Sequence, residues 1–192
     1  MTDSATEPQA TMDLSLFKVP QGFRGRPSWV VQLWWIVQSL LIHTTPQFMY
    51  GWRRFLWRLF GAKIGDHVMI RPSARVTYPW KVSVGDNSWI GDRAELYSLG
   101  PIDIGSNAVV SQDSYLCAAT HDHEKPDFPL VAKAIHIEDQ VWIAAGCFIA
   151  PGVTIGRGAI LGARSVALRD IPPAAIYAGH PAKLLKMRTE QG

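Results

Sequence analysis

Six histidines, two cysteines and a late run of basic side chains are the groups of this 192-residue chain that could act on a substrate. His121 is the foremost candidate. It closes a six-residue unit of the sequence, where a regular pattern gives way to a polar loop. A neutral imidazole that titrates near neutrality can take the proton from an attacking hydroxyl without a metal. An ordinary corner histidine would occupy the same position, and His123, two residues on, competes for the role. His136 sits beside Ile135 and is expected to face outward, while His43, His67 and His180 have no partner that spacing reveals. His121 and His123 are separated by one residue and no third histidine has a matching place, so no metal site is expected. Cys117 and Cys147 are too far apart for a metal knuckle and read as small core or wall residues in a reducing compartment. Nothing marks Cys117 as an exposed, low-pKa nucleophile. The chain has no Gly-x-Ser-x-Gly elbow, phosphate-binding glycine loop or dinucleotide fingerprint. Arg157, Arg164, Arg169, Lys183, Lys186 and Arg188 could hold phosphates or form an ordinary solvated face.

A repeat carries these groups. From Ile64 onward an aliphatic residue recurs every six positions, with a small residue four places after it. The series runs Ile64, Ile70 and Val76, then Val84 and Ile90, then Ile104, Val110 and Leu116. After a break it resumes at Ile137, Ile143, Ile149, Ile155 and Leu161. A period of six fits neither an amphipathic helix nor an alternating strand. It fits a short strand and a tight turn, three of which make one triangular coil. The aliphatic residue points inward, the small residue leaves room in a narrow prism, and Gly, Asp and Asn supply the turns. The pairs Val82-Ser83-Val84 and Ile102-Asp103-Ile104 lie 20 residues apart, one 18-residue coil plus a two-residue step. Ile135-His136-Ile137 follows 33 residues later, which throws residues 122–134 out of the stack as a polar, proline-containing loop. A lone excursion of that length on a rigid solenoid points to function.

The expected organisation is a polar, loose segment over 1–15, a helical cap over 16–62, a β-helix over 63–172 and a closing segment over 173–192. In the cap, Trp29, Leu33, Ile36, Val37, Leu40 and Leu41 recur at helical spacing, and Phe55, Leu56, Leu59 and Phe60 do so again. Two short helices are expected to bury these faces on the open end of the prism, since a solenoid needs a cap. With Arg53, Arg54 and Arg58 nearby, residues 29–60 would also suit peripheral contact with a membrane surface. The longest apolar stretch, Trp29 to Ile42, contains Gln32, Gln38 and Ser39 and falls short of a membrane span. At the far end Asp170-Ile171-Pro172-Pro173 terminates the stack, and Lys183 to Lys186 is expected to form a short closing helix. A net charge of +3 without a cluster of cations gives no face for nucleic acid. The first 15 residues lack the features of a signal peptide, so a cytoplasmic protein is expected, with the inner face of the membrane within reach.

Ile64 to Lys186 resembles the hexapeptide-repeat acyltransferases. The resemblance is carried by Val141-Trp142-Ile143, Pro151-Gly152-Val153-Thr154-Ile155-Gly156, Asp170-Ile171-Pro172-Pro173 and Gly179-His180-Pro181-Ala182. Tyr50 to Phe55, Arg71 to Trp80, Ser114 to Cys117 and Thr120-His121-Asp122 are similar to the colanic acid biosynthesis acetyltransferase subgroup. The resemblance implies a left-handed parallel β-helix, mainly β with short helices at both ends, assembled as a homotrimer with active sites between neighbouring prisms. It implies transfer of an acetyl group from acetyl-CoA to a hydroxyl of a sugar or glycolipid, such as an exopolysaccharide precursor. His121 would be the general base, and Ala145, Ala163, Leu168, Arg169, Lys183 and Lys186 would contact the coenzyme. An acceptor-binding Asn of the related sugar enzymes falls on Gly91, and a coenzyme-touching Ser falls on Ala145, where only backbone groups remain. Two alternatives stay open: an amino-sugar N-acetyltransferase, and a non-catalytic β-helix at a membrane surface.

Overall fold

The computed structural model describes residues 12–188. Three parallel sheets form the faces of a β-solenoid. The first face stacks Lys63–Ile64, Val82–Val84, Ile102–Ile104, Ile135–Ile137 and Thr154–Ile155. The second stacks Met69–Ile70, Trp89–Ile90, Val109–Val110, Trp142–Ile143, Ile160–Leu161 and Ala175–Ala178. The third stacks Arg75–Val76, Glu95–Tyr97, Tyr115–Cys117, Phe148–Ile149 and Val166–Ala167. The register follows the repeat: Val82 pairs with Ile102, Ile102 with Ile135, and Ile137 with Ile155. The aliphatic residues and the small fifth-position residues, such as Ala74, Ala94, Ala108 and Ala159, fill one continuous core.

The turns divide their labour differently from the expectation. The fourth residue of a unit takes the left-handed conformation, and His67, Asn87, Asn107 and Gln140 adopt it as readily as Gly146 does. The glycine at the second position serves close stacking. A Cβ on Gly91 would lie 2.5 Å from the backbone nitrogen of Gln112 in the next coil.

In such a stack the backbone N–H groups of one coil donate to carbonyls of the next. Gly65, Met69, Arg71, Arg75 and Thr77 donate to Val84, Ser88, Ile90, Ala94 and Leu96. The equivalent carbonyls of the first coil, on Ile64, Val68, Ile70, Ala74 and Val76, have no preceding coil to serve them. Two helices supply the donors: α1 (Ser28–Val37), extended by a π-helical turn over Gln38–Ile42, and α2 (Tyr50–Leu59). Arg58 Nε reaches Ile64 at 2.8 Å, Arg54 Nη1 reaches Val68 at 3.0 Å, and Arg53 Nε reaches Ile70 at 2.6 Å. The Trp34 indole donates to Val76 at 2.9 Å. His43 faces Ala74; burial lowers its pKa against the opposing pull of that carbonyl. Arginine suits such a rim because all its polar hydrogens are donors. Arg53 is fully buried, and its Nη1 also donates to Thr45 and Pro46.

Helix α1 therefore turns Val31, Trp34 and Val37 inward, while Trp29, Leu33, Ile36, Leu40 and Leu41 are exposed. In α2, Leu56 and Trp57 are buried and Phe55 and Leu59 are exposed. This corrects the expectation that those outward residues close the prism. Both sides of α1 are apolar, so helical spacing cannot choose between them; the hydrogen bond from Trp34 does. Gly61 ends α2 at φ +96, with the Ala62 N–H closing back on the Trp57 carbonyl.

The closing helix expected near the C-terminus is instead a strand. Lys183–Met187 runs antiparallel to Ala175–Ala178. The last coil leaves an open sheet edge, and backbone pairing there satisfies more groups than an isolated turn of helix would. Residues 122–134 are likewise part of a hairpin: Ala119–His121 pairs antiparallel with Leu130–Ala132. Residues 1–11 of the segment expected to be loose lie outside the described residues. From Asp13 onward the chain is held, with the Asp13 N–H donating to the Pro126 carbonyl at 2.8 Å.

Candidate active site

His121 ends the first strand of the hairpin and is half-buried. Its Nδ1 lies 2.7 Å from the Phe128 carbonyl oxygen. A carbonyl only accepts, so Nδ1 carries the proton and the Nε2 lone pair is left for a substrate. The imidazole stacks on the Phe128 ring at 4.2 Å and 6°, and the Phe17 ring meets the imidazole at 5.8 Å, tilted by 52°. Phe128 holds φ +46, a conformation disfavoured for an aromatic residue, which directs its carbonyl at the histidine. The loop between is drawn together by Asp122 N–H to Pro129 and Phe128 N–H to Lys125. The base of the hairpin rests on a small second core of Val31, Tyr78, Leu99 and Ala119, which ties α1 to the strand bearing His121.

The remaining histidines stand apart from this arrangement. His123 is exposed, and His136 reaches Asp103 at 3.2 Å on the first face. His67 occupies a turn and His180 precedes Pro181. Burial pushes the thiols of Cys117 and Cys147 up, and Cys117 Sγ donates to the Ala119 carbonyl at 3.1 Å, an environment opposed to a nucleophilic thiolate. Among the described residues no three His, Cys, Asp or Glu side chains converge as metal ligands.

The residues assigned to the coenzyme divide into two groups. Leu168, Arg169 and Lys183 line one pocket of about 500 Å³ with Tyr177 and Pro181. Lys186 lies on the same closing strand, paired with Ile176, outside that pocket's lining. Ala145 and Ala163 follow strands of the second face one coil apart, with the Arg164 N–H donating to the Ala145 carbonyl. The third face separates the two groups, carrying a stack of Tyr97, Tyr115 and Phe148 at 5.8 and 5.9 Å.

A groove of about 780 Å³ lies between the second face and α2, walled by Met69, Trp89 and Trp142 and floored by Gly91. Arg71, Asp92 and Arg93 give it polar groups. Arg71 Nε donates to Asp92 at 2.7 Å and Ser73 Oγ donates to it at 2.8 Å. Partial burial works against the Asp92 carboxylate, but Ser73 and Arg71 hold its pKa below the usual range. Sequence reasoning missed this groove, and it missed Phe17 and Phe128. Phe17 and Phe128 lie outside the six-residue repeat and so carry no periodic signal, and the groove assembles residues from separate coils.

Hexapeptide models match two stretches: "Bacterial transferase hexapeptide (six repeats)" over 134–167 and "Hexapeptide repeat of succinyl-transferase" over 81–116. The chain is 50% identical over 178 residues to the protein of Escherichia coli K12 named putative colanic acid biosynthesis acetyltransferase WcaF. That match covers 93% of this chain and 98% of the relative. The chain belongs to the hexapeptide-repeat acetyltransferases. Solved structures share its fold. The hexapeptide-repeat acetyltransferase VCA0836 of Vibrio cholerae, complexed with acetyl coenzyme A, superposes with a TM-score of 0.77 at 24% identity, covering 85% of this chain and 89% of that one. A maltose O-acetyltransferase of Clostridium difficile 630 gives 0.72 at 24% identity, covering 89% and 90%.

Proposed function

We propose that this acetyltransferase moves the acetyl group of acetyl-CoA to a hydroxyl of a sugar or of an exopolysaccharide precursor, with His121 as general base. The observation that carries the reading is the hydrogen bond from His121 Nδ1 to the Phe128 carbonyl, which leaves Nε2 as the available base. His121 takes the proton from the acceptor hydroxyl as its oxygen bonds to the thioester carbonyl carbon. The carbon–sulfur bond then breaks, and the imidazolium returns the proton to the departing sulfur, so the transfer is direct and His121 ends neutral. Arg169 and Lys183, which share a pocket, suit the phosphates of the coenzyme, with Leu168 beside them and Ala145, Ala163 and Lys186 as further contacts.

The active unit in this reading is a homotrimer. The hairpin carrying His121 meets the groove of the neighbouring protomer, where Trp89 and Trp142 would stack on a sugar ring and Arg71, Asp92 and Arg93 would bind its hydroxyls. Its place is the cytoplasm, where acetyl-CoA is available.

The test is CoA release from acetyl-CoA, followed with a thiol reagent across sugars and amino sugars, with His121→Ala alongside. Acceptor-dependent release that falls by roughly 10²–10⁴-fold in the variant is expected. An unchanged rate in purified His121→Ala would remove the base from the mechanism. Preference for an amino sugar would move the reading to N-transfer, which the same histidine could serve.

A further inference from the structure

The helices that close the first coil leave a second apolar surface that closes nothing. Along α1 and its π-helical extension, Trp29, Leu33, Ile36 and Leu40 recur at four, three and four residues, one face of a helix, and each is at least 43% exposed. Along α2, Trp52, Phe55 and Leu59 repeat the pattern. The two stripes form one surface, because the Trp52 indole donates to the Leu41 carbonyl at 2.8 Å and its ring stacks on Phe55 at 5.8 Å. The residues that seal the prism lie on the opposite sides of both helices, so this surface has no role in the fold already described. An exposed apolar patch of this extent marks an interaction site.

Charge decides what covers it. Between Leu14 and Gly65 the chain has no Asp or Glu and seven Lys or Arg. Lys18, Arg26 and Lys63 reach solvent, while Arg58 is turned to the first coil and paired with Asp66 at 3.2 Å. Two copies of this surface brought together would oppose like charges, whereas an anionic headgroup layer complements them and receives the indole and aliphatic side chains beneath. No helix among the described residues is long and apolar enough to cross a membrane, so the contact lies in the plane of the interface.

We infer that α1, its extension and α2 dock this protein on an anionic phospholipid bilayer through these two stripes. The inference holds whichever acceptor the active site takes. The experiment is co-sedimentation of the full chain with phosphatidylcholine vesicles with and without phosphatidylglycerol, beside Leu40→Glu/Phe55→Glu. Both positions are exposed and outside the active site, and thermal melting checks that the double variant is folded.

Binding to the phosphatidylglycerol vesicles that weakens with salt and falls roughly 100-fold or more in the double variant is expected. CoA release by the variant with a water-soluble acceptor should stay at the level of the parent. Absence of sedimentation, or equal sedimentation by the folded double variant, would overturn the inference. So would a parent assembly that breaks into smaller species when the stripes are charged, which would assign the surface to a second copy of the chain.

Discussion

The two ends of the solenoid face opposite hydrogen-bonding problems and solve them by different chemistry. The first coil is short of donors, since the carbonyls of Ile64, Val68, Ile70 and Val76 point where no coil lies. Arg58, Arg54, Arg53 and Trp34 supply N–H groups there from two dedicated helices. The last coil is short of acceptors. The N–H of Gly65, Gly85, Gly105, Glu138 and Gly156 each donates to the following coil. Ile155 pairs with Ile171, which makes Pro172 the equivalent of Gly156, and proline has no N–H to leave unpaired. On the second face the strand Lys183–Met187 completes the closure with backbone alone. The first end is covered by side chains from two helices, whereas the last is closed by a proline that carries no N–H and by backbone pairing of the following segment. A solenoid of this kind can therefore end economically in one direction but must be actively covered in the other.

The contrast predicts unequal sensitivity. Arg53→Met should be the most damaging change, because it strands the Ile70 and Pro46 carbonyls in a buried site. A loss of about 3 kcal/mol by denaturant unfolding is expected from unmade hydrogen bonds of 1–3 kcal/mol each. A loss below about 1 kcal/mol would mean that water reaches this end and the donor argument fails. Trp34→Phe keeps most of the packing and removes one donor, so about 1–2 kcal/mol is expected, with α1 exchanging its amide hydrogens faster. Pro172→Ala adds an N–H at an exposed position where water can serve it. The expected cost is under about 1 kcal/mol, chiefly from a freer unfolded chain. Comparable losses at Trp34 and Pro172 would break the contrast between the ends.

Legibility in the sequence followed the same division. The 20-, 33- and 18-residue offsets between coils reappear as strand register at Val82–Ile102, Ile102–Ile135 and Ile137–Ile155, since each unit repeats its own local geometry. His121 was legible as the residue where the repeat breaks. Its partner was not: Phe128 is one aromatic in a polar loop, and only the hairpin shows its carbonyl meeting Nδ1. Helical spacing located both N-terminal helices but assigned Trp29, Leu33, Ile36 and Leu40 to the wrong side. Periodicity measures an angle around an axis and holds no information about which apolar side meets the prism.

From sequence alone, then, come the coil length, the inward residues, the excursion and the histidine at its root, because each arises from interactions among near neighbours repeated many times. Tertiary structure alone decided that Arg53, Arg54 and Arg58 serve the first coil, that the closing segment is a strand, and that Arg71, Asp92 and Trp142 share a groove. Those outcomes depend on unpaired backbone groups and on surfaces that exist only once separate coils are stacked.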